Sequence, residues 1–170
     1  MKKIILGLLF LGLVIPVYAQ DIKTEELSEV TVVATNYKYL NDVNSEEVAS
    51  IPVQMLERKV AAYDPTSSEY YSDDFEQYYI TFFIPEGKVL AAYDSNGKLI
   101  RTIERFKDIN IPKSVKHAVA NRFPGWVISK DIYKVSYNDK TGSNKMYKLT
   151  LENGDKTIRV KTDEMGNFDE

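Results

Sequence analysis

Cysteine is absent from this chain of 170 residues, and histidine and tryptophan each occur once. The lack of cysteine excludes disulfides and thiolate chemistry. The lone histidine, His117, has no nucleophile and orienting group with which to form a catalytic relay, and no further ligands at metal-binding spacing. Its place beside Lys116 and Ala118, next to the apolar face of a helix, fits a surface or boundary residue. No Gly-x-Ser-x-Gly stretch offers a serine nucleophile. His-x-Gly-His and βαβ alternation are missing too, which removes nucleotidyltransferase chemistry of the Rossmann type. Nor is positive charge concentrated along the chain. The formal net charge is −3, unlike the basic balance of nucleic-acid proteins. The expectation is therefore no enzymatic activity, no cofactor, no metal and no nucleic-acid partner.

The chain opens "MKKIILGLLFLGLVIPVYAQ". Lys2 and Lys3 precede an apolar stretch that ends in Val17-Tyr18-Ala19, the pattern of a secretory signal peptide over residues 1–19, cleaved after Ala19. The run is short of the roughly 20 apolar residues of a membrane span and contains Pro16. With no cysteine at the cleavage point, a lipid anchor is not expected. The protein is thus expected in the periplasm or outside the cell, with no stable membrane insertion. Between Asp21 and Glu76 acids far outnumber Lys23, Lys38, Arg58 and Lys59, whereas basic residues are in modest excess from Lys88 onward. Such asymmetry suits two halves that face each other or a partner of mixed charge.

"SIPVQMLERKVAAYDP" (residues 50–65) predicts a helix, with Pro52 in its first turn, Met55, Leu56, Val60 and Tyr63 at helical spacing and Pro65 as its stop. "GKVLAAYDSNGKLI" (87–100) predicts two strands around an Asp-Ser-Asn-Gly turn, so the two AAYD stretches are not a repeat. The partner of the first helix is instead "NIPKSVKHAVANRFPGW" (110–126). Ile51-Pro52 matches Ile111-Pro112, Met55 matches Val115 and Tyr63 matches Phe123. Beyond the helices, "YITFFIPEGKVLAAYDSNGKL" aligns with "YKLTLENGDKTIRVKTDEMGNF", pairing Tyr79 with Tyr147, Asp94 with Asp163 and Gly97 with Gly166. The fold class expected is α+β: two tandem copies of a helix followed by an antiparallel meander. The first copy, with an extra N-terminal strand from "ELSEVTVVATNYKYL" (26–40), covers residues 20–106, and the second covers 107–170. "DPTSSEYYSDDFEQ" reads as an acidic surface loop of the first copy.

From Ala91 to the end, the Tyr-Asp-x-x-Gly hairpin, the Ile-Pro that opens a helix, the Phe-Pro-Gly that closes it and the final Thr-Asp-x-x-Gly turn resemble the PepSY-like family of exported bacterial proteins. That family is also described as similar to beta-lactamase inhibitor protein. The resemblance implies a tandem helix-plus-sheet fold, no cofactor, and a role in binding or inhibiting exported proteins such as peptidases. It brings no catalytic residues.

Asp94-Ser95-Asn96-Gly97 invites comparison with a calcium loop, but Ala92 and Ile103 stand where such a loop needs acids. A β-turn explains it better. Asp73, Asp74 and Glu76 read as a solvated acidic loop.

In the second copy Tyr147, Leu149 and Leu151 alternate with Met146, Lys148 and Thr150, and Ile158, Val160 and Thr162 alternate with Arg159 and Lys161. The apolar sets face the helix and the charged sets face out. Transferred to the first copy, the register turns Tyr79, Thr81, Phe83, Val89, Ala91 and Tyr93 inward. Tyr78, Ile80, Phe82, Leu90 and Ala92 then face outward. Tyr78, Ile80, Phe82 and Leu90, with Lys148, Arg159 and Lys161, form the candidate partner-binding face. The alternative is that the N-terminal strand, the acidic loop or the neighbouring copy covers the apolar members and makes them core.

The function expected is that of a non-enzymatic exported binding module that inhibits or regulates an exported hydrolase of the peptidase or beta-lactamase type. The competing expectation is an envelope structural or sensory protein that binds a small ligand or a larger assembly.

Overall fold

The computed structural model describes residues 36–44 and 48–169, all in one compact unit. The expected signal peptide lies outside the described residues. Three α-helices are present among them, α1 (Tyr37–Val43), α2 (Ile51–Ala62) and α3 (Lys113–Arg122), with a single 3-10 turn at Pro65–Ser67. The six strands are β1 (Gln77–Ile84), β2 (Gly87–Asp94), β3 (Leu99–Lys107), β4 (Val127–Asn138), β5 (Gly142–Asn153) and β6 (Lys156–Thr162). They form one antiparallel sheet in the order β1-β2-β3-β4-β5-β6, so the two halves of the chain share a continuous sheet. No helix of the described residues is long and apolar enough to cross a membrane.

The helices form close to where the sequence places them. Pro52 occupies the first turn of α2 after Ser50 in extended conformation, where its missing N–H costs no hydrogen bond. The buried face of α2 is Val53, Leu56, Glu57, Val60 and Ala61. Met55, expected on that face, is 63 % exposed, although its sequence match Val115 is fully buried in α3. The segment expected as an N-terminal edge strand is helical from Tyr37 onward, and its earlier part lies outside the described residues. A buried side chain accounts for the change at this point. Asn36 Nδ2 donates to the Ala61 carbonyl at 3.0 Å, while its Oδ1 accepts from Leu99 N–H at 2.8 Å. Asn36 thereby ties the start of α1 to the end of α2 and the start of β3.

One core lies between the helices and one face of the sheet. Tyr39, Val53 and Val60 from the helices meet Tyr93, Phe106 and Val135 from the strands. Tyr133 and Tyr147, directly opposite in the β4–β5 ladder, stack with ring centroids 5.0 Å apart. Tyr93 donates its hydroxyl hydrogen to the Val60 carbonyl at 2.7 Å, so a large apolar ring is buried without leaving its polar tip unpaired.

The core also holds a carboxyl. Glu104, on the inward side of β3, is 1 % exposed and accepts hydrogen bonds at Oε1 from Tyr39 (2.9 Å) and Thr102 (2.6 Å). Burial, and then the charge of nearby Glu57, pushes this carboxyl up to about 8, while the Thr102 and Tyr39 hydrogen bonds act the other way.

The two Asp-x-x-Gly turns are built alike. Asp94 Oδ1 accepts from the N–H of Asn96 and Lys98, and Asp163 Oδ1 accepts from the N–H of Met165 and Asn167. Gly97 and Gly166 both adopt left-handed backbone angles, with φ of 79° and 88°. Gly97 rests against Asp64 and Pro65, just beyond α2, and Gly166 against Ser114 and Ala118 of α3.

Candidate binding face

Alternation in strands sends successive side chains to opposite faces, and the ladders decide which face each residue occupies. In β1 the paired residues Tyr78↔Tyr93, Ile80↔Ala91 and Phe82↔Val89 face the helices. Tyr78 and Phe82 are 8 % and 7 % exposed, and Ile80 is half-buried against the core. This corrects the sequence expectation, which turned these three outward and Tyr79, Thr81 and Phe83 inward. Tyr79 and Phe83 are instead 55 % and 70 % exposed. Both hairpins, β1–β2 and β5–β6, close through two-residue loops, since Ile84 pairs with Gly87 and Asn153 with Lys156. Counting back from Asp94 and Asp163 through equal loops matches Tyr147 with Tyr78. Pairing it with Tyr79 introduced a slip of one position, and such a slip inverts a strand.

The acidic segment covers part of what the sequence had turned outward. Tyr78 donates its hydroxyl hydrogen to the Ser72 carbonyl at 2.6 Å and lies against Tyr71 (5.5 Å, stacked) and Phe75 (6.2 Å, edge-on). The segment is anchored at its start by Asp64, whose Oδ1 accepts from Thr66 N–H at 2.9 Å. Among the described residues no group of three or more acids or histidines could hold a metal ion, and His117 is exposed.

Leu90, Lys148, Arg159 and Lys161 do occupy the helix-free face, as expected of their strands. The exposed large apolar groups there are Tyr79, Phe83, Leu90 and Ile103, with Val127 apart from them at the start of β4. Ala92 also points this way but is 2 % exposed. It lies in register between Tyr79 and Arg101, whose guanidinium sits 5.5 Å from the Tyr79 ring centre and donates to its hydroxyl at 3.0 Å. This cation–π bridge roofs the small residue.

The cations of this face come in rows set by strand register. One row runs Phe83, Lys88, Arg105, Lys134 and Met146. The next runs Lys107, Ile132, Lys148 and Lys161, and a third runs Lys130, Thr150 and Arg159. Of these basic groups, Lys161 has an ion-pair partner among the described residues, Asp169 at 3.4 Å. Lys148 is held below the ordinary lysine range, first by the charge of Lys134, then by lost hydration and by Lys161. Phe83, Lys88 and Arg105 of the first row and every member of the other two line a concavity of about 740 Å³. Seven lysines and arginines line it against three carboxylates, Glu86, Asp108 and Asp131. Asp131 is engaged within the wall, accepting from Ile109 N–H at 3.1 Å, and its carboxyl is raised by burial.

No family model matches the chain, so the PepSY-like resemblance of the sequence has no counterpart there. No curated protein matches it. Among solved structures, the chain is similar to the crystal structure of a BLIP-like protein from Bacteroides fragilis. The two are 17 % identical, with a TM-score of 0.33, over 71 % of this chain and 83 % of the other.

The sequence had signalled the cationic half of the face through the alternation of β5 and β6. It missed Tyr79, Phe83, Ile103 and the cations of β3 and β4. Lys130 and Lys134 stand on either side of Ile132 at strand spacing, a signal that was available in "SKDIYK". The bulge between Ile128 and Lys130 blurred it by breaking the alternation at the start of β4.

Proposed function

We propose that the protein is a non-catalytic exported binding module that engages its partner through the helix-free face of the sheet. The partner in this reading is an exported hydrolase of the peptidase or beta-lactamase type, which the module inhibits or regulates. The observation that supports it is the composition of that face: exposed Tyr79, Phe83, Leu90 and Ile103 beside rows of lysine and arginine. Aromatic residues and arginine are enriched at protein interfaces, and exposed apolar groups gathered on one surface mark interaction sites.

The test is titration. Peptidases and beta-lactamases from the source organism's envelope and secreted fractions are assayed with increasing amounts of the purified protein. Stoichiometric loss of one activity, abolished by Phe83→Ser with Ile103→Ser, is the expected result. A panel in which no activity falls at micromolar protein overturns the inhibitor reading, and a complex without inhibition favours the structural or sensory role.

A further inference from the structure

We infer that the concavity over β2 to β6 is a binding site for a small ligand carrying two or three clustered phosphate groups. This rests on the helix-free face being a binding surface, and not on inhibition of a hydrolase.

Three features carry the inference. The first is charge: seven basic groups against three acidic ones line one concavity. Like charges placed side by side repel: Lys148 is held below the ordinary lysine range first by the charge of Lys134, which stands outside the concavity, and also by that of Lys161 within it. A fold keeps such a cluster at a cost in stability, and an anion seated among the ammonium groups removes the cost. Phosphate is the most economical such anion, since each group brings close to two charges and three strong acceptor oxygens.

The second feature is pitch. Neighbouring strands lie about 4.8 Å apart, and alternate residues of one strand about 6.7 Å apart. Lys107, Lys148 and Lys161 fall in one row, with Lys130 and Arg159 in the next. A lattice of this pitch reaches several oxygens of a single compact ligand at once. Arg105 and Arg159 add planar forks suited to bidentate bonds with phosphate.

The third is shape. A concavity of about 740 Å³ lies within the range of small-ligand sites, roughly 300–1,000 Å³. Phe83 and Ile132 lie in its rows of cations and provide apolar surface for the body of the ligand.

The experiment is calorimetric titration of the purified protein with sodium tripolyphosphate at low ionic strength. Inorganic monophosphate, vesicles containing phosphatidic acid and a single-stranded oligonucleotide are the comparison arms. Saturable binding of one tripolyphosphate per chain is expected, about tenfold or more tighter than monophosphate, and weakening with added salt. Lys148→Met with Arg159→Gln should weaken it about tenfold or more. Lys98→Met, which removes a cation paired with Asp139 at 2.8 Å outside the concavity, should leave it unchanged.

Binding to vesicles without binding to tripolyphosphate overturns the small-ligand site and assigns the cationic rows to a lipid surface instead. No saturable binding in either arm overturns the inference. So does equal weakening by Lys98→Met, or an oligonucleotide that binds more tightly than tripolyphosphate. A protein that binds tripolyphosphate but inhibits no hydrolase separates this site from the hydrolase reading.

Discussion

The Tyr39 hydroxyl donates to Glu104 Oε1 at 2.9 Å, joining α1 to the middle of the sheet across 65 positions of chain. Both groups are fully withdrawn from water, so neither can recover a lost partner from solvent. Tyr39→Phe should therefore lower stability by roughly 1–3 kcal/mol, measured as a fall in the urea midpoint with an unchanged slope. A variant as stable as the parent would mean that water or another donor replaces the tyrosine.

The same carboxyl sets a pH dependence. Glu104 is raised to about 8 in the fold, chiefly by burial, against about 4.3 in an unfolded chain. Between those values the folded state binds more protons than the unfolded state, so stability falls as pH rises. The contribution is complete below about pH 4.3 and is lost as pH climbs through 8, with a slope of up to ~1.4 kcal/mol per pH unit. Urea midpoints from pH 5 to 9 should decline in the parent and flatten in Glu104→Gln, whose amide oxygen can still accept from Tyr39 and Thr102. Parallel profiles for the two proteins would place the titration elsewhere.

Adjacent phenylalanines should behave in opposite ways. Phe82, 7 % exposed and edge-on to Tyr63 at 5.4 Å, belongs to the core, and Phe82→Ser should cost about 3 kcal/mol or more. Phe83→Ser, at a position 70 % exposed, should change stability by about 0.5 kcal/mol or less. Thermal melts of the two variants decide whether the β1 register is correct, because a slip of one position exchanges the outcomes.

Gly166 and Gly154 both have positive φ, 88° and 56°, but their surroundings differ. A Cβ on Gly166 would come within 2.8 Å of the Ala118 Cβ and 3.0 Å of the Ser114 carbonyl, whereas one on Gly154 meets nothing within 4 Å. Gly154→Ala carries the backbone penalty alone, and Gly166→Ala adds displacement of α3. The second should be the more destabilising by at least about 1 kcal/mol, read from denaturant titrations.

The fold class was legible because helix capping, turn chemistry and strand alternation agree over most of the chain. "NIPKSVKHAVANRF" and "YKLTLENGDKTIRVKT" carry helical and alternating periods bounded by Pro, Asn-Gly and Asp. The face of β1 was not legible, because Tyr78 and Tyr79 are adjacent and either satisfies a match to Tyr147. Local pattern cannot break that tie in "YYITFF", where both faces are apolar. What breaks it is tertiary: the acidic segment supplies Tyr71, Phe75 and the Ser72 carbonyl to Tyr78. The start of α1 was hidden for a related reason, since the bonds of Asn36 reach residues 25 and 63 positions away. On the candidate face, the β5 and β6 cations follow from strict alternation, whereas the concavity depends on how all the strands line up.

Every ladder of the sheet joins strands that are neighbours along the chain. Four of the five close through short loops, and β3 meets β4 only after the chain has passed through α3. Loop-closure entropy grows with the length of chain enclosed, so this joint carries the largest closure cost of the five. The sheet should open there, as two plates swinging on a seam, with amide hydrogens across β3 and β4 exchanging ahead of those within either plate. The cationic rows straddle the seam, with Lys107 on one plate and Lys148 on the other, and a ligand lodged between them would act as a clasp.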